Sequence, residues 1–197
     1  MAAQDYGELR ALEQALEAVE RDARTLIEGV TDAQGVWREN LTSWSIAHCF
    51  DHLATANRVY LRAMTPSAER ALQQGRRRRG PAVPGLIGGW FVRSMEPPVT
   101  QRFRMKAPKK IIPRESPPLR DAAAQFLTSH VDVGEFLRKY ADLDLAHVRF
   151  PNPFIRGVRF SLATGLHVIA AHERRHLWQA WNVRARALGE RGATASG

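Results

Sequence analysis

The sequence is poor in three things that usually carry structure. It has one cysteine, Cys49, in 197 residues, so no intramolecular disulfide can form, and a reducing cytoplasm suits it. It has no long apolar run. The longest, Gly85 to Val92, falls far short of the roughly 20 residues a membrane-spanning helix needs. Met1 to Glu20 is charged throughout, which is not the pattern of a secretory signal. There is also no internal repeat and no convincing apolar–polar alternation, which argues against solenoid and sheet architectures. The expectation is a cytoplasmic, helical, single-domain protein over residues 1–197.

Acidic residues are missing from one region. Between Arg70 and Arg114 there are twelve Lys/Arg and one carboxylate, Glu96, although the whole chain has 29 basic and 20 acidic residues. That stretch carries a charge of +11. The rest, with 17 basic and 19 acidic residues, is nearly neutral. The basicity therefore belongs to one segment, densest at Arg76, Arg77, Arg78 and Arg79. A localised run of this kind reads first as a solvated, mobile loop tip. The sharper reading is contact with an anionic partner. A nucleic-acid-binding fold is not indicated.

What is present is helical periodicity. Leu9, Leu12, Leu16, Val19, Ala23, Leu26 and Val30 are spaced alternately by three and four, the stripe of a packed helix over about 3–29. A second helix is expected from Trp44, capped by Thr42 or Ser43, with Ile46, Phe50, Leu53, Asn57, Tyr60 and Met64 on its core face. Pro66 is expected to end it. Residues 66–117 form a basic Pro/Gly-rich connector, with a short helix near Leu86–Met95 anchored by Trp90 and Phe91. A third helix follows Pro117-Pro118, and a fourth runs from about Ser161 to Ala187. Residues 189–197 read as a flexible tail. This predicts an all-α, up-and-down antiparallel four-helix bundle with a long crossover loop between helices 2 and 3.

The chemistry lies in the histidines. Seven in 197 positions would give only about a quarter of an i, i+4 pair by chance. The chain has two, His48/His52 and His172/His176. Residues four apart share a helix face, so His172 and His176 can bind one ion together. His52 is the candidate third ligand, because it flanks the core arc of the second helix while His48 lies further toward solvent. Three protein ligands leave one position open, as in catalytic sites. His-Glu-x-x-His also matches the zincin protease motif. Only 21 residues follow His176, and they offer Glu190 alone as a downstream carboxylate, so that reading fails. Glu173 points about 100° away from its neighbouring ligand on the helical wheel.

Two stretches together carry a family resemblance. Trp44-Ser45 with His52-Leu53, and His172-Glu-Arg-Arg-His176-Leu-Trp-Gln179, resemble the signatures of the DinB-like superfamily and its YfiT-like members. The Asn152-Pro153 turn before the last helix fits as well. The resemblance covers most of the chain. It implies a four-helix bundle with a nickel or zinc ion on three histidines, which carry over to His52, His172 and His176. Some relatives conjugate low-molecular-weight thiols to electrophiles. His48 stands where relatives often carry glutamate.

Two function classes follow. One is an enzyme whose divalent ion, nickel or zinc, activates a thiol or water, as a thiol S-transferase or hydrolase acting on a small molecule. The other is a non-catalytic, stress-related metal-binding module with an anionic partner at Arg76–Arg79. His48 and His130 are candidates to support the ligands, with a buried core role also open for His130. Oligomeric state is left open, with a homodimer among the options.

Overall fold

The computed structural model describes residues 7–98 and 107–189. Six α-helices make up most of it: α1 (Gly7–Ile27), α2 (Asp32–Val36), α3 (Ile46–Gln73), α4 (Leu86–Met95), α5 (Leu119–Tyr140) and α6 (Leu162–Ala187). A 3-10 turn occupies Lys109–Ile111. Strands β1 (Arg149–Pro151) and β2 (Arg159–Ser161) form a short antiparallel hairpin. Strands of three residues are too short to show alternation, so no sequence pattern announces them. The protein is otherwise helical, as expected. Among the described residues no helix is long and apolar enough to cross a membrane.

The apolar stripe of α1 is buried from Leu9 to Leu26, each leucine contributing about 1.5–3 kcal/mol on burial. The expected face of α3 is likewise buried, and so are Ala122, Phe126, Val133 and Leu137 of α5. α3 starts at Ile46, two residues later than the expected start at Trp44. Its cap is Ser45, whose hydroxyl accepts from the His48 backbone N–H. The helix also runs through Pro66 to Gln73 rather than ending there. Pro66 and Arg62 both lie on the exposed side, where water can satisfy the carbonyl that proline leaves without a donor. Ser67, Ala68 and Ala71 are buried and hold the extra turns in place. Gly35 is inside α2. The side chain of Leu119 occupies the space its Cβ would need, at 2.5 Å, and Trp37 stays 37% exposed.

The helix directions differ from a strict up-and-down bundle. Arg58 bonds Gln125 and Lys139 bonds Glu69, so α3 and α5 run the same way. Trp181 bonds Asp22, and Arg184 bonds the Thr25 and Glu28 carbonyls, so α1 and α6 also run the same way. α3 and α6 are antiparallel, with Asn57 on Glu173 and Met64 beside Gly165. The long connector explains this. A short loop forces consecutive helices to reverse, whereas residues 74–118 can carry the chain back to the end where α3 began.

That connector is docked where it is described. The Arg78 N–H bonds the Asp142 carbonyl, and the Asp144 N–H bonds the Arg76 carbonyl. Arg77 bridges Leu143. Glu8 pairs with the Arg78 guanidinium and accepts from the Ala82 N–H. The arginine run is thus pinned between α1 and the α5–α6 connection, not a free loop tip, because α1 supplies a carboxylate that the sequence did not place there. α4 is present, but Trp90 is not an anchor. Gly88 packs on Thr164 and Phe91 on Phe160 at 5.3 Å, which turns Trp90 outward at 62% exposure. The expected tail, residues 189–197, lies outside the described residues from 190 onward.

Candidate metal centre

The site is built between α3 and α6. About two turns before His172 the two helices pack tightly at Gly165, where a Cβ would lie 2.9 Å from the Met64 sulfur and the Phe150 ring. One face of α6 then presents His172 and His176 to His52 on α3. The three ring centroids lie 4.5–4.9 Å apart, and one nitrogen from each ring falls within 4.8 Å of the others. The Nε2 atoms of His52 and His172 are 3.1 Å apart. Two nitrogens at 2.0–2.1 Å from a tetrahedral ion would be about 3.3 Å apart. The spacing is therefore close to that of ligands sharing one cation.

Hydrogen bonds aim two of the rings. His52 donates from Nδ1 to the Ile111 carbonyl at 2.5 Å, since a carbonyl can only accept. This leaves the Nε2 lone pair facing the cluster. His176 Nδ1 meets Gln179 Oε1 at 3.0 Å, with the same consequence. Such outer partners fix tautomer and orientation in metal sites. Trp44 forms one wall, its ring 4.7 Å from His52 and 5.5 Å from His176.

The electrostatics fit a cation. Burial lowers the His52 pKa to about 4, partly opposed by the Ile111 carbonyl. Burial also holds His172 and His176 well below the ordinary histidine value, and the neighbouring imidazoles lower them further. All three are neutral near pH 7, as ligation requires. No carboxylate belongs to the group, so the donor set is purely imidazole. That set suits zinc, nickel and other borderline ions rather than calcium or magnesium.

The other candidates lie elsewhere. His48 is not on the solvent side. It is 7% exposed because the connector covers that flank, and its Nε2 donates to the Glu115 carbonyl at 3.0 Å. Its Nδ1 meets the Ser45 hydroxyl at 2.6 Å and accepts from the Ser45 N–H. This is a capping box with imidazole in the place usually taken by Glu or Gln. A glutamate at the same position would make the same cap, so the departure at His48 has a structural explanation. His130 is buried on α5 against Glu173, at 3.0 and 3.2 Å. Glu173 is fully buried and also accepts from Asn57. It faces away from the three histidines, as the helical wheel predicts. The guanidinium of Arg78 is taken up by Glu8, and Arg76, Arg77 and Arg79 are exposed.

Sequence reasoning missed two supports. One is the Ile111 carbonyl, which no side-chain pattern can reveal. The other is the Asp51–Arg114 pair, with Arg114 Nε 2.7 Å from Oδ1 and its backbone N–H 2.9 Å from Oδ2. It ties the connector to α3 one residue before His52. A carboxylate directly before His52 was its only trace in the sequence.

A family model described as the DinB superfamily matches residues 15–180. No curated protein and no solved structure gives a significant match. The match spans both histidine-bearing helices, and the chain belongs to the DinB superfamily.

Proposed function

We propose, from superfamily membership and the histidine geometry together, that this chain is a metal-dependent enzyme holding nickel or zinc on His52, His172 and His176. The observation that carries the reading is the convergence of three neutral imidazole nitrogens within 4.8 Å, two of them aimed by hydrogen bonds from the opposite ring nitrogen. When bound, such an ion supplies Lewis-acid chemistry that brings the pKa of water or a thiol toward neutrality. The protein's own part is positioning. Ile111 and Gln179 hold the rings, Trp44 shields one side, and burial keeps the imidazoles unprotonated. Glu173 is committed to His130 and Asn57 and takes no part as a base. The substrates proposed are a small electrophile and a low-molecular-weight thiol or water, within a four-helix bundle that acts alone or as a homodimer.

The deciding experiment has two arms. Elemental analysis of the purified protein should find about one nickel or zinc per chain, and the His172→Ala/His176→Ala double variant should contain none. Thiol consumption with an electrophile should follow metal content. Stoichiometric metal without turnover would favour a binding module. Full metal in the double variant would refute the assignment.

A further inference from the structure

A second concave site lies away from the histidines. A groove of ≈ 800 Å³ opens between the turn carrying Lys109 and Lys110, the β1–β2 hairpin with Phe154, Arg156 and Arg159, and Ala63 of α3. Ala63 is eleven residues beyond His52, about 16 Å along the helix axis. The volume is in the range of small-molecule sites, about 300–1,000 Å³. All four charged residues lining it are cationic, and among the described residues no carboxylate lines it.

The walls are built, not incidental. Asn152 is 7% exposed, and its Oδ1 accepts from the backbone N–H groups of Phe154 and Ile155 at 2.8 and 2.9 Å, which fixes the loop. Gly157, at φ +81°, allows the turn that places Arg156 and Arg159 on the same hairpin. Arg159 donates to the Arg149 carbonyl at 3.0 Å. Lys110 Nζ reaches the Pro153 carbonyl at 3.5 Å and so links the two walls. Phe154 stands edge-on to Tyr60 at 5.4 Å and supplies an apolar surface. Like charges gathered from two separate elements repel in the absence of a counter-charge, and a concave site of one sign concentrates anions.

We propose that this groove binds a small organic anion, with a carboxylate, phosphate or sulfonate group on Lys109, Lys110, Arg156 and Arg159 and an apolar body against Phe154. The proposal stands independently of the metal centre. Because Ile111 follows Lys110 and its carbonyl holds His52, a ligand here also rests against the turn that supports that histidine.

The test uses the full chain and anilinonaphthalene sulfonate, an aromatic anion whose fluorescence reports binding. Binding should saturate and weaken as ionic strength rises. The Lys109→Gln/Lys110→Gln/Arg156→Gln/Arg159→Gln variant should bind about tenfold more weakly, since each exposed cation contributes only a fraction of a kcal/mol. Should that variant melt early, the Arg156→Gln/Arg159→Gln pair, on an exposed hairpin, should still weaken binding about threefold. Competition by inorganic phosphate against acetate identifies the preferred head group. A Leu86→Ser/Trp90→Ser variant tests the exposed face of α4 as the source of the signal, and it should bind like wild type. Loss of binding in that variant, salt-insensitive binding, or unchanged affinity in a folded cation variant would overturn the proposal. Metal content, measured on the same samples, should not change, so this result and the histidine assignment can fail separately.

Discussion

Adjacent residues on α6 enter two opposite kinds of buried histidine environment. His172 joins His52 and His176 in a group that contains no carboxylate. Glu173, turned to the other side, meets His130 with a full carboxylate. In the first group burial lowers all three pKa values, helped by neighbouring imidazoles at His172 and His176. At His130 burial pulls the pKa down most strongly, but the Glu173 carboxylate, Glu20 and the Leu16 carbonyl together outweigh it and the value rises. The same side chain is thus held neutral on one flank of α6 and biased toward the charged form on the other. Neutral imidazoles are what a cation needs. A histidine paired with a carboxylate already has its counter-ion and links α5 to α6 across the core.

The largest separation between the two environments should come from removing ligands. The His172→Ala/His176→Ala variant should lose metal altogether, and the single His52→Ala variant should bind it far more weakly, as isothermal titration with zinc would show. Metal-induced thermal stabilisation should vanish with it. Unchanged stabilisation would place the ion elsewhere.

Next in size is the carboxylate side. Glu173→Gln leaves His130 without its anionic partner and should cost about 1.5–3 kcal/mol in urea unfolding, the range for a hydrogen bond to a charged group. Zinc stoichiometry should survive it. If metal is lost as completely as in the double variant, the two environments are one functional unit and the contrast fails.

The pH response carries opposite signs. Histidines with lowered pKa stay neutral in the folded chain while the unfolded chain takes up protons. Their contribution to metal-free stability is therefore complete above about pH 6.5 and is lost as pH falls toward the His52 value of about 4. His130 behaves in reverse. Its stabilisation is complete below about pH 6.5 and is lost as pH rises through its raised folded value. Glu173→Gln should flatten the alkaline limb of the stability profile and leave the acid limb in place. Bound metal should be released on the acid side as the ligands protonate. An acid limb that disappears in Glu173→Gln would contradict the assignment.

Smaller effects should come from the supports. Gln179→Ala should weaken metal binding by about tenfold, the low end for an outer partner of a ligand. His48→Ala should cost about 1 kcal/mol as a lost cap and leave metal content intact. Metal loss in His48→Ala would mean that the capping box sets the position of His52.

Much of this was legible in the sequence. Helical spacing placed His172 and His176 together, and the core arc of Ile46, Phe50 and Leu53 put His52 nearer the interior than His48. The wheel also turned Glu173 away. Other features were not legible, each for a physical reason. Pro66 reads as a terminator, yet an exposed face can accommodate the missing donor. The arginine run reads as mobile, yet Glu8, some seventy residues earlier, holds Arg78. His48 reads as exposed because nothing local announces the Glu115 carbonyl that covers it. The parallel course of α3 and α5 depends on where a long connector returns, and amphipathic periodicity is blind to direction.

The returning connector has a kinetic consequence. The contacts of Ile111 with His52, Arg114 with Asp51 and Glu115 with His48 span 59, 63 and 67 residues. Closing loops of that size is slow compared with forming helices. The face that aims His52 should therefore be completed late, and the full triad, which also needs the α3–α6 pairing across 116 residues, should be completed after the main folding barrier. An ion that needs the finished face cannot help the chain over that barrier and can only hold it once it has crossed. Added zinc should slow unfolding in stopped-flow experiments while leaving the refolding rate nearly unchanged, so the metal would act on how long the native protein lasts, not on how fast it forms.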